Sequence, residues 1–344
     1  MKKRTFLKAG LLAGLMVSGM AVSAQEITLR MHQFLPPQAT VPAQILIPWA
    51  ETIGAASDGR IKVEVYSAMA LGGSPPQLMD QVIDGVVDIA WTLPGYTPGR
   101  FPRVEVFELP FMMTNAEATS RAYWQMYESD MAETDFGGVH ILGAWVHGPG
   151  VIHVKGDAIE TVDDMEGLKL RGPTRVINDL LGELGATAIG MPVPALPENL
   201  AKGVIDGTVI PWEVTAALKI AELTDAHTEF LGERTLYTAA FVLVMNKDVY
   251  NSLPADLQAV LDANSGADFS ANAGRIMQEA DAAGRALALS EGNTIITVEG
   301  DDLDAWQAAA QPVIERWIAE MAEQGIDGAD LMERTKALIA ENTM

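Results

Sequence analysis

Cysteine is absent from the 344 residues, which excludes disulfides, thiolate metal sites and thiol catalysis and leaves the fold to its core alone. Beyond the N-terminal segment no uninterrupted apolar run reaches the roughly 18 to 20 residues of a membrane-spanning helix. Basic residues are scarce, 23 Lys and Arg against 46 Asp and Glu, for a formal charge of −23. Such a surface argues against nucleic acid and anionic lipid as partners. It leaves a small anionic ligand open, because screening over about 8 Å lets one buried cation control its own pocket. Catalytic signatures are missing too: no G-x-S-x-G elbow, H-E-x-x-H pair, phosphate-binding loop or G-x-G-x-x-G fingerprint occurs.

What is present starts with "MKKRTFLKAGLLAGLMVSGMAVSAQE": a basic start, an apolar stretch from Ala9 to Met20 and small residues up to Ala24. This reads as an export signal over residues 1–24, removed to give a periplasmic protein with no membrane insertion. "KRTFLK" resembles a twin-arginine export motif with Lys3 in place of the first Arg, so either export route is open. Removal takes away Lys2, Lys3, Arg4 and Lys8 and no acid, leaving 19 basic against 46 acidic residues, a charge of −27.

Hydrophobic periodicity then describes one unit used twice. "ITLRMHQF" and "IKVEVY" alternate as strands around a helical "VPAQILIPWAETIGAA"; "SPPQLMDQVIDG" reads as a helix capped by Ser74, and "VVDIAWT" as a buried strand. After a strand from Val139 the order returns: strand "LKLRG", helix "TRVINDLLGELG" with Thr174 as its cap, strand "ATAIGMP", helix "PALPENLAKG" and strand "VIDGTVIP". "DGVVD" at 84–88 and "KGVIDG" at 202–207 mark equivalent junctions. Leu236 to Pro254 reads as a strand and turn, and the rest as mostly amphipathic helix. The expected fold is α/β: two similar lobes of sheet and helix, a ligand cleft between them, and long C-terminal helices. The crossovers place 27–148 plus 237–278 in the first lobe and 149–236 plus 279–344 in the second.

Arg171 ends a strand just before Gly172-Pro173 and a helix start, where a guanidinium fork and helix-end N–H groups suit a carboxylate. The pattern equally fits a structural Arg tied to a local acid, and Arg175 is expected on the solvated helix face. Phe34, Trp91, Trp145 and Trp212 fall at strand ends, as core or as the walls of a cleft. His147 and His153 flank a Gly-Pro-Gly turn at a spacing that matches no metal pair, and no cofactor is implied. His147 is open as a ligand contact or a structural histidine. Glu213 in "VIPWEV" is a lone carboxylate, too little for an enzyme.

The order of "SDGRIKVEVYSAMALGG", "DQVIDGVVDIAWTLPGYTPGRFPRVEVFELPFM", "DDMEGLKLRGP", "NLAKGVIDGTVIPWE" and "LVMNKDVYNSLP" resembles the solute-binding subunits of TRAP transporters, the dicarboxylate-binding-protein-like family. The resemblance implies a periplasmic two-lobed protein, not an enzyme, that captures an organic acid and delivers it to membrane permease subunits driven by a sodium gradient. It implies that Arg171 holds the ligand carboxylate. It maps the first strand end onto His32 and Gln33, the third onto Trp91, the "VIPWE" segment onto Trp212 and Glu213, and the return strand onto Tyr237 and Phe241. Several sugar-acid binders of that family carry a second Arg where this chain has "HGPG", residues 147–150. One cation among Trp91, Trp212, Phe241 and His147 favours a monocarboxylate, aromatic or a small hydroxy or keto acid, over a uronate. The alternatives are a uronate binder of the same transporter class, a lobed sensor subunit reporting to a membrane receptor, and an exported enzyme acting on a carboxylate through Glu213 or His147.

Overall fold

The computed structural model describes residues 27–343, so the expected signal peptide lies outside the described residues. The first half runs β1 (Ile27–His32), α1 (Ile47–Ala56), β2 (Ile61–Tyr66), α2 (Leu78–Ile83), β3 (Ile89–Thr92), α3 (Ala116–Met126) and β4 (Val139–Val146). The second runs β5 (Gly150–Val154), β6 (Lys169–Gly172), α4 (Arg175–Glu183), β7 (Thr187–Gly190), α5 (Leu196–Ala201), β8 (Gly207–Pro211), α6 (Thr215–Leu218) and β9 (Ala226–Phe230). Then follow β10 (Ala240–Asn246), α7 (Lys247–Ser252), α8 (Ala255–Ala263), α9 (Ala267–Ser290), β11 (Thr294–Val298), α10 (Asp301–Glu323) and α11 (Gly328–Thr343).

The strands form two sheets, ordered β2-β1-β3-β10-β4 and β11-β9-β5-β8-β6-β7. Each is built on a parallel βαβαβ unit in the same order, β2-β1-β3 in one and β7-β6-β8 in the other. Each unit is extended by an antiparallel strand that follows a crossover between the lobes: β10 beside β3, and β5 beside β8. The fold is therefore the two-lobed α/β architecture that the repeated pattern implies, and the chain crosses between lobes at 147–149 and 231–239. Parallel strands end toward the space between the lobes, which is where open α/β sheets gather functional side chains.

Local chemistry accounts for the elements. β1 and β2 show alternation because one face meets the core, whereas β5, β8 and β10 are buried along their whole length. The Ser74 amide and hydroxyl both donate to Gln77 Oε1 ahead of α2, at 2.8 and 3.0 Å. α4 buries Val176, Ile177, Leu180 and Leu181 on one stripe.

Two expectations change. Thr174 stands at the N-cap of α4 in extended geometry, but its hydroxyl makes no capping bond. α11, expected with the second lobe, lies along α3 of the first: Arg334 pairs with Asp130, and Asn342 donates to Gln125. The cause is α10, which packs on α4 and, after the turn at Gly325, returns the chain across the boundary. α9 serves both lobes within one rod, against α3 and β4 on one side and the Trp212–Val214 turn on the other.

Candidate functional site

A cavity lies between the lobes, a common position for small-molecule sites. Arg171, Phe34, Trp91, His147, Tyr237, Phe241 and Glu213 line it, joined by Tyr96, Leu93, Val193, Val209 and Ala239 among others.

Arg171 is 1% exposed. Its Nε donates to the Met191 carbonyl at 2.7 Å and its Nη1 to the Val209 carbonyl at 3.4 Å, so neutral backbone oxygens fix the fork. Its Nη2 is buried without a partner, and among the described residues Arg171 makes no ion pair. Burial pulls the guanidinium below its ordinary value, and the Tyr96 and Tyr237 phenols oppose that shift. The Tyr96 hydroxyl accepts from Val193 N at 3.1 Å. The Tyr237 hydroxyl is a second buried group without a partner, pushed up by burial. A buried cation with an unspent donor beside an unspent phenol is costly unless something anionic meets it.

The wall opposite is aromatic. Trp91 stacks on Phe34 at 4.6 Å and on Phe241 at 5.0 Å between ring centroids, and Tyr96 meets Phe34 edge-on at 5.7 Å. β3 and β10 are antiparallel neighbours, which brings Trp91 and Phe241 to one face.

His147 touches the cavity but has spent both ring nitrogens. Its Nδ1 lies 2.6 Å from the Gly148 carbonyl, and its Nε2 accepts from Ala239 N at 3.1 Å, so the proton sits on Nδ1. The Thr238 hydroxyl adds a bond to the His147 carbonyl at 2.8 Å. Burial pulls its pKa down to about 4. The imidazole thus staples the two interlobe crossovers together. Glu108 braces the same region: its Oε1 accepts from Ala240 N at 3.1 Å, and burial raises its pKa to about 8.

Glu213, 6% exposed, keeps Oε2 unpartnered and is pushed up to about 7 by burial. Its backbone N–H donates to Asp281 Oδ1 at 2.8 Å, and its carbonyl accepts from the Thr40 hydroxyl of the first lobe at 3.4 Å.

Trp212, His32 and Gln33 stand off the cavity lining. Trp212 turns away from the cavity and donates to Glu229 at 2.7 Å, while its neighbour Glu213, in the same turn after β8, takes the cavity side. His32 reaches Gln81 on α2 at 2.7 Å, and Gln33 folds back onto both backbone groups of Leu35. Arg175, expected in solvent, instead pairs at 2.5 Å with Glu105 across the lobe boundary and at 2.5 Å with Glu320 on α10 of its own lobe. Tyr96 escaped sequence reading; its signal was an aromatic in the Pro-Gly turn directly after a buried strand. Among the described residues no group of His, Cys, Asp and Glu is placed to hold a metal, and no helix is long and apolar enough to cross a membrane.

Comparison with known proteins adds independent findings. Residues 33–321 match the family described as bacterial extracellular solute-binding protein, family 7. A TRAP solute-binding protein from Rhodoferax ferrireducens T118, solved with copurified benzoate, is 50% identical over 92% of this chain and 98% of its own, with a TM-score of 0.90. A marine metagenome TRAP solute-binding protein, solved with metahydroxyphenylacetate, is 46% identical over 93% of this chain and 100% of its own, with a TM-score of 0.91. A third, from Bordetella bronchiseptica with bound mandelate, is 29% identical over 92% of this chain and 99% of its own, with a TM-score of 0.84.

Proposed function

The chain belongs to the family 7 extracellular solute-binding proteins, and we propose that within it the protein captures an aromatic monocarboxylate in the periplasm for a sodium-coupled TRAP permease. The observation that carries this reading is Arg171 Nη2, a buried donor without a partner at the edge of an aromatic-walled cavity. The ligand carboxylate accepts from Nη2 and from the Tyr237 hydroxyl, and the ring lies against Phe34, Trp91 and Phe241. Closure of the lobes excludes water, which strengthens the charge-assisted bonds, and the closed form is the one delivered to the permease. Benzoate, hydroxyphenylacetate and mandelate in the similar solved proteins support the ligand class.

Binding without chemistry agrees with the side chains. His147 is locked as a structural imidazole, which leaves Glu213 with no basic or nucleophilic partner at the cavity. A uronate fits the lining less well, since its several hydroxyls would face mostly carbon. The test is a thermal-shift screen of refolded protein against aromatic acids, keto acids, dicarboxylates and uronates. A true ligand at 100 times its Kd stabilises the fold by about 2.7 kcal/mol; a response confined to uronates would overturn the ligand class.

A further inference from the structure

Once the carboxylate is assigned to Arg171 and Tyr237, the cavity still holds an unspent oxygen. Glu213 Oε2 is buried and has no partner, on a side chain that lines the cavity from the turn after β8. The turn is fixed from behind: Asp281 Oδ1 accepts the Glu213 amide at 2.8 Å, and the Thr215 hydroxyl donates to the Trp212 carbonyl at 2.7 Å. The backbone that carries the side chain is therefore fixed, and the side chain itself is buried.

Its position relative to Arg171 follows from β8. Arg171 Nη1 is tied to the Val209 carbonyl. β8 ends at Pro211, roughly 7 Å further along at about 3.3 Å per residue, and Glu213 follows in the turn. Cation and carboxyl thus bound the cavity at separated points, with Val209, Ile210 and Pro211 as apolar lining between them. A ligand filling that space presents its carboxylate at one point and a ring substituent at the other.

We propose that Glu213 is the specificity-determining residue for a ring hydroxyl, its free Oε2 accepting the O–H of a hydroxylated aromatic acid anchored on Arg171. This rests on the aromatic-monocarboxylate reading above. A buried acceptor left empty is penalised, so the site favours a ring that carries a donor over the bare ring or a capped one.

The test is calorimetric titration at pH 8, above the value of about 7 to which burial pushes Glu213. Benzoate, 3- and 4-hydroxybenzoate and their methoxy counterparts are titrated into wild type, Glu213→Gln and Glu213→Leu. In wild type at least one hydroxybenzoate binds about 10- to 100-fold tighter than benzoate and than its methoxy counterpart. Glu213→Leu brings these ratios close to one, and Glu213→Gln, whose amide oxygen still accepts, keeps part of them. A wild-type far-ultraviolet circular dichroism spectrum and a cooperative urea transition report that the variants are folded. Tight benzoate binding with no hydroxyl preference in wild type, or a preference that survives Glu213→Leu, overturns the role of Glu213 and leaves the aromatic reading intact. Failure of wild type to bind any of these acids overturns both.

Discussion

Arg175 Nε and Nη2 donate to the two oxygens of Glu105 at 3.1 and 2.5 Å, a bidentate pair that ties α4 of the second lobe to the segment between β3 and α3 of the first. Glu320 on α10 accepts from the third nitrogen at 2.5 Å, and the Trp317 indole donates to Glu105 at 3.2 Å. The pair lies beyond the Gly-Pro turn that follows Arg171, so the segment that carries the proposed anchor also fastens the lobes.

Arg175→Ala strands the Glu105 carboxylate. The expected cost in urea unfolding is about 1 to 3 kcal/mol, below that of a fully buried pair because the Arg175 side chain is 27% exposed. Apparent ligand affinity falls with it, since the contact-making state is a smaller share of the population. Removing Glu105 as well should restore part of the loss; unchanged stability in the single variant would mean that the pair is incidental.

Arg171→Ala should weaken binding by about 2 to 5 kcal/mol, because the ligand carboxylate would be buried unpaired. Arg171→Lys should fail as well, since an ammonium cannot hold two carbonyls and still present a further planar donor. A lysine variant with wild-type affinity in titration would show that the fork geometry is unimportant.

Gly150→Ala tests the Tyr237 hydroxyl without touching it. A Cβ at Gly150 would collide with the Tyr237 ring, and Gly150 N–H also donates to the Tyr237 carbonyl at 3.0 Å. The phenol must move, and affinity should fall about tenfold, the worth of one hydrogen bond to a charged group. Tyr237→Phe should match it; a full-affinity Tyr237→Phe would remove the phenol from the account.

Stability should fall as pH rises from 6.5 to 8. Burial pushes Glu213 up to about 7 and Glu108 up to about 8, so folding retains protons that the unfolded chain releases. Their contribution is complete below the unfolded carboxyl value and is lost as pH climbs through 7 and 8. His147, pulled down to about 4, acts oppositely: the unfolded chain protonates first on acidification, so its contribution is lost below about 6.5 and is level above. The slope in the upper window is at most about 1.4 kcal/mol per pH unit for each ionising carboxyl. Glu108→Gln should flatten it, and an unaltered slope in chemical denaturation would refute the assignment.

The repeated unit was legible because both copies alternate or carry a clear helical stripe, from Ile27 to Thr92 and from Lys169 to Pro211. β5 and β9 were not, since "GVIHV" is buried on both faces and shows no period, and "AHTEF" buries polar groups only because partners await them. At the site, side chains at strand ends were identified but their facing was not: Trp212 and Glu213 are adjacent, and only tertiary structure decides which looks inward. Tyr96 and Val193 enter the cavity from turns in opposite lobes, and no local pattern records that meeting. His147 stayed open between ligand contact and structural histidine because its two partners, Gly148 and Ala239, lie on separate crossovers.

The most direct measurement is calorimetric titration of benzoate and of glucuronate into refolded wild type and Arg171→Ala. The account predicts tight benzoate binding that the substitution weakens at least about 30-fold, the low end of about 2 to 5 kcal/mol, with little heat from glucuronate in either protein. Glucuronate binding tighter than benzoate, or benzoate binding indifferent to Arg171, would contradict it.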